Sequence, residues 1–127
     1  MGYETIVVEE RNKTLWVGLN RPKVLNAMNF QMINEVIDAF TKLDEDTDLG
    51  VGVLYGLNGN FSSGGDMDMM LGLDYRTGHI WNNKMRQLCM LLRNCGKPTI
   101  AMVRGWCIGC GNECQLYCDL CIASEKS

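Results

Sequence analysis

Residues 97–127, KPTIAMVRGWCIGCGNECQLYCDLCIASEKS, read as strand, turn, helix and strand in quick succession. Thr99 to Val103 is a short apolar run with the character of a buried strand. The turn after it carries Gly105, Gly109 and Gly111, a short helix is predicted from about Gly111 to Tyr117, and Leu120 to Ala123 closes the unit as a second strand. Glycines between strand and helix let the backbone approach a ligand closely, and the helix N-terminus turns its free N–H groups toward negative charge. Glu113 falls in the first turn of that helix, where a carboxylate can act as acid or base beside those donors.

Moving outward, the same punctuation occurs once more upstream. Gly50 to Tyr55 is a compact apolar strand, and residues 56–66, GLNGNFSSGGD, form a second glycine-rich turn just after it. Met67 to Leu73 is predicted as a short helix capped by Asp66, Asp74 to Gly78 as a loop, and His79 to Cys95 as a longer helix stopped by Gly96 before Pro98. Before these, Tyr3–Arg11 and Thr14–Leu19 read as strands joined by a turn at Asn12-Lys13. Asn29 to about Leu43 has helical periodicity, with Phe30, Ile33, Ile37 and Phe40 inward and Gln31, Glu35, Asp38 and Lys42 outward. Strands alternating with helices imply an α/β layered domain with parallel pairing. If the two glycine-rich turns end at one edge of the sheet, their N–H groups can converge on a single oxygen atom and stabilise an oxyanion. Spacing alone equally allows two ordinary strand-to-helix turns.

Composition narrows the function classes. The chain has 127 residues, 46% hydrophobic and 21% charged, with a net charge of −3. Lys and Arg are scattered, so the basic patch of a nucleic-acid binder is missing. No apolar run approaches the ~20 residues that span a bilayer, and no signal-peptide core opens the sequence, so a soluble, cytoplasmic protein is expected. Seven cysteines, five of them between Cys107 and Cys121, read as free thiols of a reducing compartment rather than a disulfide framework. Cys107-x₂-Cys110 and Cys118-x₂-Cys121 have the spacing of a zinc-binding module, whereas small apolar thiols packing in a core account for the same residues without metal. Core packing is also the reading for Trp106, and a solvated helix-start position the reading for His79.

Four motifs in order carry a resemblance: Asn20-Arg21-Pro22-Lys23-Val24-Leu25-Asn26-Ala27, Phe61-Ser62-Ser63-Gly64-Gly65-Asp66-Met67, Lys97 to Gly105, and Gly109-Cys110-Gly111-Asn112-Glu113 with Cys118-Asp119. Together they resemble the crotonase superfamily, which includes enoyl-CoA hydratases and isomerases. The resemblance implies a spiral of ββα units binding an acyl-CoA thioester, with no cofactor beyond the coenzyme A that is part of the substrate. It implies that the N–H groups of Gly65 and Cys110 hold the thioester oxygen as an enolate forms, and that Glu113 is a hydratase-type acid or base. Lys23, Val24 and Leu25, with Ser63, Asp66 and Met67, would line the coenzyme A binding region. No metal ligand is implied. Cys110 departs from the family pattern, which usually has glycine there; a φ above zero at that residue would cost about 1–2 kcal/mol. The chain is also about half the length of a typical member. It is therefore expected to be an N-terminal part of the domain, lacking the later spiral turns and the trimerisation helices through which a full-length protein would form a homo-oligomer. An open sheet edge is expected as well. Gly64-Gly65-Asp66 and Asp74-Tyr75 resemble the branch acting on cyclic acyl-CoAs, such as naphthoate synthases and ring-opening hydrolases, which is the alternative to hydratase or isomerase.

Overall fold

The computed structural model describes residues 2–127. Strands β1 (Ile6–Arg11) and β2 (Thr14–Leu19) form an antiparallel hairpin whose turn residues, Asn12 and Lys13, both take left-handed backbone, with φ of 51° and 63°. That geometry matches the twist of the flanking strands, which is why a two-residue turn suffices. Helix α1 (Phe30–Glu45) follows, opened by the Asn29 side chain, which accepts from the Met32 N–H at 2.9 Å. Next come β3 (Val51–Gly56), a short helix α2 (Met67–Leu71), α3 (Tyr75–Asn94), β4 (Thr99–Val103), α4 (Cys110–Tyr117) and β5 (Leu120–Ala123). The sheet order is β1-β2-β3-β4-β5, and every pair after the first is parallel.

Leu15, Val17 and Leu19 of β2, Leu54 of β3 and Ala101 of β4 share one face by register and are fully buried. Met32, Ile33, Val36, Phe40 and Leu43 of α1 and Leu88 and Leu92 of α3 complete the same core. Gly52 is needed there, because a Cβ would collide with the Leu43 side chain. The loops leaving β2, β3 and β4 also pair with one another, through parallel bridges Met28–Gly65 and Ser62–Cys107. This second, short ladder makes each strand, loop and helix one step of a winding and stacks three loops at one end of the parallel strands.

Three expectations change. The segment 74–78 is not loop but the start of α3: the Asp74 carboxylate accepts from the Thr77 N–H at 2.8 Å while the Thr77 hydroxyl accepts from the Asp74 N–H at 2.9 Å, a reciprocal cap that begins the helix at Tyr75. His79 is consequently an exposed residue inside α3 rather than its first. Glu35 does not face solvent freely; it accepts from the N–H groups of Glu4 and Thr5, both at 2.9 Å, and pins the entry to β1 on α1. Trp106 is 56% exposed rather than in the core, because its loop follows the end of β4.

Candidate active site

The site begins with the loop after β2. Pro22–Val24 makes one 3-10 turn, and then Leu25 and Asn26 both take left-handed backbone, with φ of 53° and 58°. Asn26 tolerates this conformation better than most residues, and its buried side chain holds the turn in place. Its Oδ1 accepts from the Arg21 N–H at 2.7 Å, and its Nδ2 donates to the Asn60 carbonyl at 2.8 Å, reaching into the loop after β3. That second loop is tied back in turn: the Ser63 N–H donates to the Leu25 carbonyl at 3.0 Å and the Ser63 hydroxyl to the Val24 carbonyl at 3.1 Å. Buried Ser62 donates from its hydroxyl to the Asn26 carbonyl at 2.8 Å and accepts from the Gly64 N–H at 3.1 Å.

The loop after β4 lies against the second by backbone pairing. Ser62 N–H donates to the Trp106 carbonyl at 2.9 Å and Ile108 N–H to the Ser62 carbonyl at 3.1 Å. Contact is close enough to require glycine: a Cβ on Gly64 would stand 3.0 Å from the Ile108 carbonyl oxygen and 3.9 Å from the Cys110 nitrogen, and one on Gly111 would stand 2.7 Å from the Ser62 Cβ. Gly64 and Gly109 take the positive φ values, 106° and 55°. Cys110 does not, so the left-handed strain considered for it falls on its glycine neighbour instead. The N–H groups of Gly65 and Cys110 donate to no backbone carbonyl among the described residues, although their neighbours Asp66 and Gly111 do.

Beside Gly65 opens a cleft of about 330 Å³ lined by Val24, Ala27, Ser63, Asp66 and Met67. Clefts of about 670 and 640 Å³, one between β1 and α1 and one beside β5, are lined by none of the candidate catalytic or substrate-binding residues, and a further one of about 410 Å³ lies on the outside of the turn, against Arg21, Pro22, Lys23 and Val24. Lys23 and Leu25 are exposed at the rim, on the turn that carries Val24. The Asp66 carboxylate is already engaged: it accepts from the Met69 N–H at 3.1 Å as the cap of α2 and pairs with the Arg21 guanidinium at 2.9 Å. The Met69 N–H first and Arg21 second hold its pKa below the ordinary carboxylate value, against a smaller opposing effect of burial. Met67 is exposed at the cleft, and the Met70 side chain lies over Gly65, with its methyl carbon 3.1 Å from where a Cβ would be.

Glu113 is exposed on α4, one turn beyond Cys110. Burial, then the Glu113 charge, raise the Cys110 thiol above its usual pKa, while the N–H groups of Cys110 and Gly65 act on the sulfur in the opposite sense. All seven cysteines are free, and among the described residues no three His, Cys, Asp or Glu side chains are grouped. Cys121 is exposed on β5, whereas Cys114 and Cys118 are buried against α3 and β4, as packed thiols. Asp74, one of the residues behind the cyclic-substrate alternative, is engaged in capping α3.

The loops therefore bring together Val24, Ser63, Gly65, Asp66, Met67 and Cys110, with Lys23, Leu25 and Glu113 at the margin. Sequence reading quoted Arg21, Asn26 and Ser62 within the motifs but gave Arg21, Asn26 and Asn60 no clamping role, while Ser62 does hold its turn, as expected of a serine there. The available signal was a short polar residue in each turn, able to hydrogen-bond backbone in place of a strand partner.

Comparison with known proteins agrees in sequence and in fold. A family model described as enoyl-CoA hydratase/isomerase matches residues 9–127. A probable enoyl-CoA hydratase of Rhizobium meliloti is 36% identical over 133 residues, covering 100% of this chain and 49% of that protein. A hydroxycinnamoyl-CoA hydratase-lyase of Pseudomonas fluorescens is 35% identical over 130 residues, covering 98% and 47%. The crystal structure of an enoyl-CoA hydratase from Thermoplasma volcanium superposes with a TM-score of 0.89 at 32% identity, over 94% of this chain and 48% of that one. The chain thus spans about half the length of the relatives it matches, and its strand–loop–helix winding is the corresponding part of their fold. On its motifs, its paired loops and these matches, the chain belongs to the enoyl-CoA hydratase/isomerase family, within the crotonase superfamily.

Proposed function

We propose that this chain carries the thioester-binding part of an enoyl-CoA hydratase or isomerase, with the acyl-CoA carbonyl oxygen held between the N–H groups of Gly65 and Cys110. One observation supports this reading: two backbone donors lie on adjacent, paired loops, neither has a backbone partner among the described residues, and Gly65 stands in the wall of a cleft. A thioester α-carbon gives up or receives a proton readily only when the enolate oxygen is stabilised, and each such donor contributes about 10²–10³ in rate. Glu113, one turn along α4, is the acid or base that moves the proton, a contribution of about 10²–10⁴. Val24, Ser63, Asp66 and Met67 form the wall for the coenzyme A end, with Lys23 and Leu25 at its rim. The Arg21–Asp66 pair and the Asn26 clamp keep that wall rigid. Seven free thiols support a reducing, cytoplasmic setting. A homo-oligomer is the reading for the full-length protein.

Acetoacetyl-CoA binding measured by calorimetry tests the proposal. Gly65→Pro deletes one donor at a residue whose N–H has no backbone partner among the described residues, so folding measured by circular dichroism should persist while affinity falls by about 10-fold or more. Equal affinity in the two proteins would rule out Gly65 as a donor to the ligand.

A further inference from the structure

Ser62 is fully buried and bonded to both loops that flank its own. Its hydroxyl donates to the Asn26 carbonyl of the loop after β2 at 2.8 Å and accepts from the Gly64 N–H at 3.1 Å. Its main chain pairs with the loop after β4, through the Trp106 carbonyl at 2.9 Å and the Ile108 N–H at 3.1 Å. Helix α4 starts from that ladder: the Gly111 N–H donates to the Ile108 carbonyl at 3.0 Å, and a Cβ on Gly111 would stand 3.1 Å from the Ser62 Oγ.

These links reach the two donor residues by separate routes. Gly64, at a φ of 106°, is held on its N–H by the Ser62 hydroxyl and on its carbonyl by the Met28 N–H at 2.7 Å. In a trans peptide the N–H points opposite to the C=O, so the Met28 bond turns the Gly65 N–H away from the loop after β2. The planes on both sides of Gly64 are thus fixed, one of them by a side chain. Cys110 depends instead on the main-chain ladder, which needs no hydroxyl. The cleft wall is independent as well, since Ser63 is tied to the Leu25 and Val24 carbonyls by its own N–H and hydroxyl.

We propose that Ser62 is a positioning residue, whose hydroxyl aims the Gly65 N–H and so sets the preference of the site for a thioester carbonyl over coenzyme A alone. This rests on the thioester reading above and adds to it a residue that touches no ligand. Without the hydroxyl, Gly64 loses the bond on its N–H at a position where glycine has several conformations open to it, and the peptide that carries the Gly65 N–H follows. The loss falls on one donor, and the coenzyme A wall and the Cys110 donor stay.

Calorimetry on the full chain with acetoacetyl-CoA and, separately, coenzyme A tests this. In Ser62→Ala the preference for acetoacetyl-CoA should fall by about 5-fold or more, as expected for one misaligned hydrogen bond, while affinity for coenzyme A holds. Ser62→Cys, which keeps a weak donor and acceptor, should fall between Ser62→Ala and the parent, and it carries the test if Ser62→Ala does not fold. In a Gly65→Pro background Ser62→Ala should cost no further preference, because the donor it aims is already gone. An unchanged preference, an equal loss of both ligands, or losses that add in the double variant would overturn the proposal. A parent chain that prefers acetoacetyl-CoA whatever stands at residue 62 overturns only the role of Ser62; a parent that binds the two ligands equally removes the thioester reading, and this inference with it.

Discussion

At the scale of single residues, the candidate site depends on side chains that need never touch a ligand. Asn26 is 1% exposed, sits at a φ of 58° and joins two loops through its amide. Truncation to alanine would orphan the Arg21 N–H and the Asn60 carbonyl and would also leave a Cβ residue in left-handed backbone. The two effects together should cost about 2–4 kcal/mol, read as a shift in the urea unfolding midpoint. Asn26→Gly loses the same hydrogen bonds but none of the backbone comfort, so it should be the more stable of the two variants. The reverse order would show that the clamp, and not the left-handed turn, is all that Asn26 contributes. The same reasoning explains why the motif reading found Lys23 to Leu25 but not the residue that holds them. Charged and apolar side chains announce themselves by exposure or periodicity, whereas a buried amide at a turn looks in sequence like any other loop asparagine.

At the scale of elements, α2 is short and depends on its cap. Asp66 serves both the Met69 N–H and Arg21, and its folded pKa lies below the ordinary value of 3.8. A depressed folded pKa contributes stability that is present above the unfolded value and is lost as pH falls through the folded one. Asp66→Asn keeps a good capping residue but removes the charge. The variant should therefore be less stable than the parent near neutrality, and the gap should close as pH drops below 3.8. Thermal melts of both proteins across that range check this; a gap that stayed constant into acid would mean that the Arg21–Asp66 pair contributes no charge-dependent stability. Most elements were legible beforehand, because β2 and β4 are bounded by Pro or Gly and α1 repeats its apolar residues at helical spacing. The start of α3 was not. Tyr75-Arg76-Thr77-Gly78 lacks an apolar stripe and ends on glycine, so its pattern reads as loop, and only the reciprocal Asp74–Thr77 cap makes it helix. Pairing between the loops was illegible for a different reason: the bridges Met28–Gly65 and Ser62–Cys107 join residues far apart in sequence, and no local pattern encodes them. The motif resemblance supplied the site residues, and the coordinates supplied the contacts that bring them together.

At the scale of the whole molecule, the sheet has one protected flank and one bare one. On the β1 side, charged residues guard the margin: Glu9, Glu10 and Arg11 are exposed, and Lys42 pairs with Glu10 at 3.1 Å. On the other side β5 is exposed along its length, with Leu120 and Ile122 60% and 63% exposed, and Trp106, Ile108 and Leu116 are exposed as well. An unpaired strand edge with apolar side chains is a template for another chain, and a lysine placed on such an edge is the usual protection. A net charge of only −3 offers little long-range repulsion to oppose association. The isolated chain should therefore self-associate as its concentration rises, and Ile122→Lys should shift that onset to higher concentration while leaving the melting temperature nearly unchanged. Ile122 is mostly exposed, so the substitution removes little buried area, and the added charge must be desolvated whenever two edges approach. Light scattering across a concentration series, with the melts run in parallel, decides the matter. Unchanged association in the variant would place the sticky surface elsewhere, with the exposed methionines of α2 the next apolar surface to alter.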